Sequence, residues 1–405
     1  MNQFMWGSGA SSTQTEGAAP ASDWMRWEQA GKAPASGTGN GFGTEYARDF
    51  AMMAEYGLTH HRLSLEWARL EPERGRHDGA AIEHYTQMLQ SARDAGINVW
   101  VCLHHFTLPG WFSQDMGGFV DQRARSYEWA RHVDWVAETF GDLVYGWKPI
   151  NEPVAYAFSG YLMGVFPPGV SDLGEFANAL RAVHLANHDA WRLLRGGGKP
   201  VATIMNLSPV YPAVRGREPQ ERERAESNAA VTDQIIFGSW IRALRDGVLA
   251  IPGLPDEEIP EMAGSFDYIG FSYYNALSVH ADLTTGPYPA DARVGPMGYA
   301  PWPEGLGIVL RRLADELPDR KLLICECGFG TDDDDWRSEL LKASLEETRR
   351  AVHDGVDVRG FFHWTAVDNY EWLEGFDVKF GLFDHDRRPK PSAELARAWA
   401  SRGDP

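Results

Sequence analysis

Cysteine is scarce in this chain, long apolar runs are missing, and positive charge never gathers into a block. The three cysteines, Cys102, Cys325 and Cys327, are too few for a disulfide framework, so a reduced, cytoplasmic protein is the expectation. No segment approaches the roughly 20 consecutive apolar residues that cross a bilayer. The opening Met1-Asn2-Gln3-Phe4-Met5-Trp6-Gly7 lacks a basic stretch followed by an apolar one, and no secretory leader is expected. Lys and Arg number 38 against 57 Asp and Glu, a net charge of −19. Nothing here supplies the basic face that displaces counterions from nucleic acid. A nucleic-acid binder, a membrane protein and a disulfide-stapled secreted domain are thereby excluded, and a neutral or cationic small-molecule ligand is favoured. Self-association into a homo-oligomer is left open.

What is present is a recurrence. An apolar, β-rich run, a polar stretch and a helix-period segment follow one another eight times. The strand candidates are Phe4–Ser11, Thr59–Trp67, Asn98–His105, Val144–Asn151, Val201–Leu207, Tyr268–Tyr274, Leu322–Glu326 and Gly360–Trp364. Helical patterns over 80–95, 123–139, 173–195, 224–245, 305–316 and 336–354 lie between them; in the last, Leu341, Leu345 and Val352 share a face. Continuous apolar strands alternating with amphipathic helices mean a parallel sheet covered by helices. Eight such units predict a closed (β/α)8 barrel, with residues 1–405 as one catalytic domain. No Gly-rich phosphate fingerprint follows the first strand, which argues against a dinucleotide-binding fold, and no cofactor is expected.

In such a barrel, active sites lie where strands end and βα loops begin. Those ends carry Gln14, Glu16, Arg62, His105, Asn151, Glu152, Asn206, Tyr274, Glu326 and Trp364. A purely structural barrel has no use for such a ring of polar groups. Two glutamates stand out among them. Pro153 cannot donate to a sheet ladder and disfavours helix at the residue before it, fixing Glu152 at the exit of the fourth strand. Glu326 interrupts the apolar run Leu322-Leu323-Ile324-Cys325, where an unexplained charge is costly to bury. Glycoside hydrolysis needs such a pair, one carboxylic acid to protonate the leaving oxygen and one carboxylate to attack or to activate water.

With these residues in view, the chain resembles glycoside hydrolase family 1, the β-glucosidase and β-galactosidase family, from Phe4 to about Trp399. The resemblance is carried by Gln14-Thr15-Glu16-Gly17, by His61-Arg62-Leu63-Ser64 with Glu66-Trp67 and Arg69, and by His104-His105-Phe106. It continues through Asn151-Glu152-Pro153, Tyr273-Tyr274 and Ile324-Cys325-Glu326-Cys327-Gly328. Trp364-Thr365 and Asp368-Asn369-Tyr370-Glu371-Trp372 complete it. It implies Glu152 as acid/base and Glu326 as nucleophile, with Arg62 and Tyr274 supporting the latter. Gln14, His105, Asn151, Trp364, Glu371 and Trp372 would bind the sugar, Asn151 at its 2-hydroxyl. A cis bond between Trp364 and Thr365 is also implied.

The chain departs from the family pattern at Cys325 and Cys327, where Thr and Asn are usual, at Ser272, and at Phe106 and Thr107. Cys325 and Cys327 are expected to share a face opposite to Glu326. The expected chemistry is a double displacement with retention, the carboxyl groups about 5–5.5 Å apart, releasing terminal non-reducing β-linked gluco-, galacto- or fuco-configured sugars. Glu371-Trp372 with Glu374 disfavours a phosphorylated sugar. A transglycosylase using the same intermediate is the alternative, and a sugar-binding relative without catalysis a more remote one. No metal is expected: in His60-His61 and His104-His105 only one member of each pair faces inward. His61 then belongs to the core. Asp332 to Asp335 reads as a solvated loop and helix N-terminus, His184 and His188 as core or capping residues. Trp24, Trp27, Trp111 and Trp302 are candidates for the entrance.

Overall fold

The computed structural model describes residues 4–403 and Pro405; Met1–Gln3, on which the leader reading partly rests, and Asp404 lie outside the described residues. The expected strands form as β1 (Met5–Gly9), β2 (His60–Ser64), β3 (Asn98–His104), β4 (Gly146–Ile150), β5 (Met205–Asn206), β6 (Ile269–Tyr273), β7 (Leu322–Cys327) and β8 (Val358–His363). All pair in parallel, in the order β4-β3-β2-β1-β8-β7-β6-β5. A parallel bridge from Trp147 of β4 to Val201, just ahead of β5, joins the two ends and closes a (β/α)8 barrel. The ladder of β5 is shorter than the run Val201–Leu207 suggests, because Val201 and Ala202 make only isolated bridges.

Parallel neighbours need crossovers, and helices Gly79–Asp94, Leu173–Leu194 and Asp334–His353 supply three of them. Each starts at an aspartate whose carboxylate accepts a backbone N–H of the first turn: Asp78 from Ala81, Asp172 from Glu175, Asp333 from Trp336. The acidic run 332–335 is thus a helix start. Two expected helices are interrupted by π-helical turns, Ala124–Trp129 before Ala130–Phe140 and Gln234–Gly238 before Ser239–Asp246. On Asp334–His353, Leu341 and Leu345 are buried but Val352 is exposed. There the helix is already turning through Asp354–Val356 toward β8, and the smaller Ala351 meets the core instead.

The strands have two apolar faces, as a sheet wrapped by helices requires. Outward residues such as Trp6, Leu63, Val101, Trp147, Phe271 and Phe361 join the core beneath the helices. His61 belongs to this layer, against Phe42 and Phe50 with a ring nitrogen 2.9 Å from Ser8 Oγ. Trp24, Trp67, Trp129 and Trp240 are fully buried as well. Inward residues Met5, Trp100, Ala202, Ile204, Tyr268, Leu323, Cys325 and Phe362 fill the barrel. Burying one such side chain contributes about 1.5–3 kcal/mol.

Cys325 is a correction. It does not share an outward face with Cys327. The pairing of β7 shifts register on both sides between Ile324 and Cys327, the mark of a β-bulge. The extra residue turns Cys325 and Glu326 inward in succession. Cys325 packs in the barrel interior, while Cys327 reaches out to Ser344 of helix Asp334–His353. All three cysteines are free and buried. Among the described residues, no helix is long and apolar enough to cross a membrane.

Candidate active site

The barrel mouth is built from the C-terminal ends of the strands. On β2, Arg62 is fully buried and points inward. The opening for it is made by Gly9 of β1, where a Cβ would lie 2.9 Å from the Trp364 ring and 3.5 Å from Arg62 Nη2. The guanidinium forms an ion pair with Glu326 and lies 5.1 Å from the centre of the Trp364 ring. It also donates from Nη1 to the Ala10 carbonyl at 3.2 Å. Tyr274 Oη donates to Glu326 Oε2 at 2.5 Å. The Glu326 carboxylate is therefore held by one buried cation and one half-buried phenol, an environment that favours the charged form.

Glu152 has the opposite surroundings. It follows Ile150 at the end of β4, and Pro153 opens helix Pro153–Ala157. Pro153 does fix the strand exit, but the backbone of Glu152 is left-handed (φ 46°, ψ 68°) where the extended conformation is usual before proline. Its N–H donates to the Ile204 carbonyl and its own carbonyl accepts from Tyr156, which holds the residue in this sparsely populated region. Glu152 Oε1 is buried without a partner. Burial raises the pKa of the carboxyl, and the Ser272 hydroxyl and the Arg62 charge only partly oppose this. Glu152 and Glu326 thus share Arg62, Tyr274 and the Ser272 segment of β6 as neighbours. The pair is brought together at one site.

The other expected residues gather around it. His105 accepts at Nδ1 from Arg62 Nη1 at 2.8 Å, since a guanidinium can only donate. Its proton is therefore on Nε2. Burial, then the Arg62 charge, push its pKa well down, so the ring is a neutral donor. Gln14 lies on the short helix Ser12–Glu16, and its Nε2 donates to the Tyr370 carbonyl at 2.9 Å and to Glu371 Oε2 at 3.1 Å. Trp364 Nε1 donates to Glu371 Oε1 at 3.1 Å. Burial pushes the Glu371 carboxyl up to about 8. Trp372, Trp364 and His105 lie with nearly parallel planes, and Trp24 closes edge-on against Trp372 at 4.7 Å. Asn151 is 1% exposed, and neither its amide nitrogen nor its amide oxygen has a partner. A buried amide with nothing to bond is expensive unless a ligand completes it. The Trp364–Thr365 peptide is cis.

Two polar residues at the strand ends play other parts. Glu16 turns away to Tyr85 and Arg69, with burial raising its pKa to about 7. Glu374 is exposed. Tyr299, near the same site, carries no signal in the sequence. It arrives on the segment following a small sheet of Val210–Pro212, Ala276–Val279 and Thr285–Tyr288, and lies near Tyr274, with burial, then Glu371 and Glu152, raising its phenol pKa. Residues 289–302 have no period and carry three prolines and two glycines in a short span, so nothing in their pattern singles it out. Among the described residues, no group of three or more His, Cys, Asp or Glu is placed to hold a metal.

Comparison with known proteins agrees with this fold. The Glycosyl hydrolase family 1 profile matches residues 1–399. The coniferin beta-glucosidase of Pinus contorta is 26% identical, the alignment spanning 100% of this chain and 92% of that protein. The beta-glycosidase from Pyrococcus horikoshii superposes with a TM-score of 0.89 at 30% identity, covering 99% of this chain and 94% of that one. A family 1 b-glucosidase from Thermotoga maritima, solved with isofagomine lactam, shares the fold with a TM-score of 0.90 at 22% identity over 100% and 98% of the two chains. A closed barrel, two unlike glutamates at its mouth and these likenesses together make the chain a member of glycosyl hydrolase family 1, an enzyme of the β-glycosidase class.

Proposed function

We propose that the enzyme is a retaining hydrolase of terminal non-reducing β-linked glucose-, galactose- or fucose-type sugars, with residues 1–405 acting as one catalytic domain in the cytoplasm. The observation that carries this is the unequal treatment of the two carboxylates. Glu326 is paired with Arg62 and Tyr274, as a nucleophile kept ionised requires, and Glu152 is buried with one oxygen free, as an acid kept protonated requires. In this reading Glu326 attacks the anomeric carbon while Glu152 gives its proton to the departing oxygen. Glu152, now a carboxylate, then takes a proton from water, which releases the sugar with its β configuration restored.

His105 would offer Nε2–H to a sugar hydroxyl. Glu371 and Gln14 would form a donor and acceptor pair for another, and the unpartnered Asn151 amide suits the 2-hydroxyl. Trp364 and Trp372 supply the apolar walls. The buried Glu371 carboxyl favours a glycone without phosphate. Three free cysteines support the cytoplasmic part of the proposal.

A panel of p-nitrophenyl β-glycosides, with early product followed by proton NMR, tests it. Release of the β-anomer first, from an unphosphorylated glycone, is expected. First release of the α-anomer, or preference for a 6-phosphoglycoside, would overturn it. Measuring free sugar against free aglycone at high acceptor concentration separates hydrolysis from transglycosylation.

A further inference from the structure

A buried carboxylate outside the catalytic pair lies at the base of the sugar-binding loops. Glu66, just past β2, is 2% exposed. Its Oε2 accepts from Ser12 Oγ at 2.8 Å, from Thr107 Oγ1 at 2.9 Å and from Thr13 Oγ1 at 3.5 Å; its Oε1 accepts from the Ala68 N–H at 3.3 Å. Every one of these donors is a neutral hydroxyl or amide. Burying a carboxylate is costly, and these bonds, together with the Arg69 charge nearby, offset that cost.

The donors come from the loops that carry the glycone-facing side chains. Ser12 and Thr13 directly precede Gln14 on helix Ser12–Glu16, and Gln14 leads on to Glu371 and Trp364. Thr107 lies two residues after His105, which leads on to Arg62 and Glu326. Between His105 and Thr107, Phe106 is left-handed with φ 69°. A bulky residue holds that conformation only where its surroundings impose it. The bond from Thr107 to Glu66 is such an anchor, and a further contact between Thr13 Oγ1 and Thr107 Oγ1 at 3.4 Å ties the two loops directly.

We infer that Glu66 is a positioning residue of the reaction: its carboxylate fixes the distance between Gln14 and His105, so that both meet the same sugar. The inference rests on the glycosidase reading above and deepens it. Glu66 touches no substrate and acts only through the loops it joins.

The test is steady-state kinetics of the full-length enzyme on p-nitrophenyl β-glucoside and on analogues each lacking one glycone hydroxyl. Glu66→Ala is expected to lower kcat/KM on the complete sugar by about 10- to 100-fold, the cost of a small misplacement. On the analogue for which Gln14→Ala has no effect, the loss should shrink to about threefold or less, and Glu66→Ala with Gln14→Ala should lose less than the product of the two single losses. Thr107→Val, which removes a donor but keeps the carboxylate, should show the same selectivity and serves if Glu66→Ala fails to fold. Glu66→Gln, which keeps an acceptor oxygen, should recover most of the activity. Equal losses on every analogue, multiplicative losses with Gln14→Ala, or wild-type kinetics in Glu66→Ala would overturn the inference. Wild-type enzyme inactive on every β-glycoside would instead overturn the glycosidase reading.

Discussion

The exits of β4 and β7 each deliver a glutamate to the barrel mouth, and they do so by opposite means. At β4 the strand stops cleanly, proline starts a helix, and Glu152 is held in a left-handed turn with one carboxylate oxygen unsatisfied. At β7 the strand continues through a bulge, and the extra residue re-aims Glu326 at Arg62 and Tyr274. One carboxyl is buried with an oxygen left unbonded, and the other is held by a cation and a phenol. The same residue type can therefore serve as acid and as nucleophile, because a carboxyl's ionisation depends on what surrounds it.

The sharpest way to break this comparison is to remove each glutamate in turn. Glu326→Ala should lower kcat on the order of 10⁵-fold with any leaving group, because no second group can form the covalent bond. Added azide should restore turnover and give an α-glycosyl azide, identified by NMR, since azide then attacks from the face the carboxylate has vacated. Glu152→Ala should lose about 10²- to 10⁴-fold on substrates with poor leaving groups and far less on 2,4-dinitrophenyl glycosides, which need no proton. Its azide product should be β. Identical azide products from the two variants would mean that their roles are not distinct.

Smaller effects sharpen the comparison. Tyr274→Phe removes a hydrogen bond to a charged group and should cost about 10- to 100-fold in kcat/KM. The pH profile of kcat/KM should fall on its basic side as Glu152, its pKa raised by burial, loses its proton; Glu152→Gln should abolish that limb.

Stability should follow a different set of groups. Burial lowers the pKa of His60, His61, His104 and His363 to about 3. A depressed folded pKa contributes stability above the unfolded value of about 6.5 that is lost as the pH falls toward 3. The melting temperature should thus decline below pH 6.5. Glu371, raised to about 8, has the reverse sign: its contribution is complete below about 4.5 and is lost as the pH rises through 8. Glu371→Gln should flatten that alkaline decline in a thermal melt.

Much of this architecture was legible from local pattern. The strand period, the aspartates at helix starts and Pro153 after Glu152 act over a few residues, and the structure keeps them. Cys325 was misjudged because strict alternation assumes an unbroken ladder, and a bulge depends on both neighbouring strands. Val352 shares the face of Leu341 and Leu345 yet is exposed, because a helix face is buried only as far as there is something to cover it. Tyr299 lay beyond reach in an aperiodic segment whose path is set by the small sheet before it.

The sequence alone determined that eight strands alternate with helices, and which residue types stand at their ends, since chain periodicity and proline chemistry are local. Only the tertiary structure decided that Arg62 meets Glu326 while Glu152 stays unpaired, that His105 carries its proton on Nε2, and that Glu66 joins two loops. Ionisation and hydrogen bonding depend on neighbours distant in the chain, and those are fixed when the barrel closes.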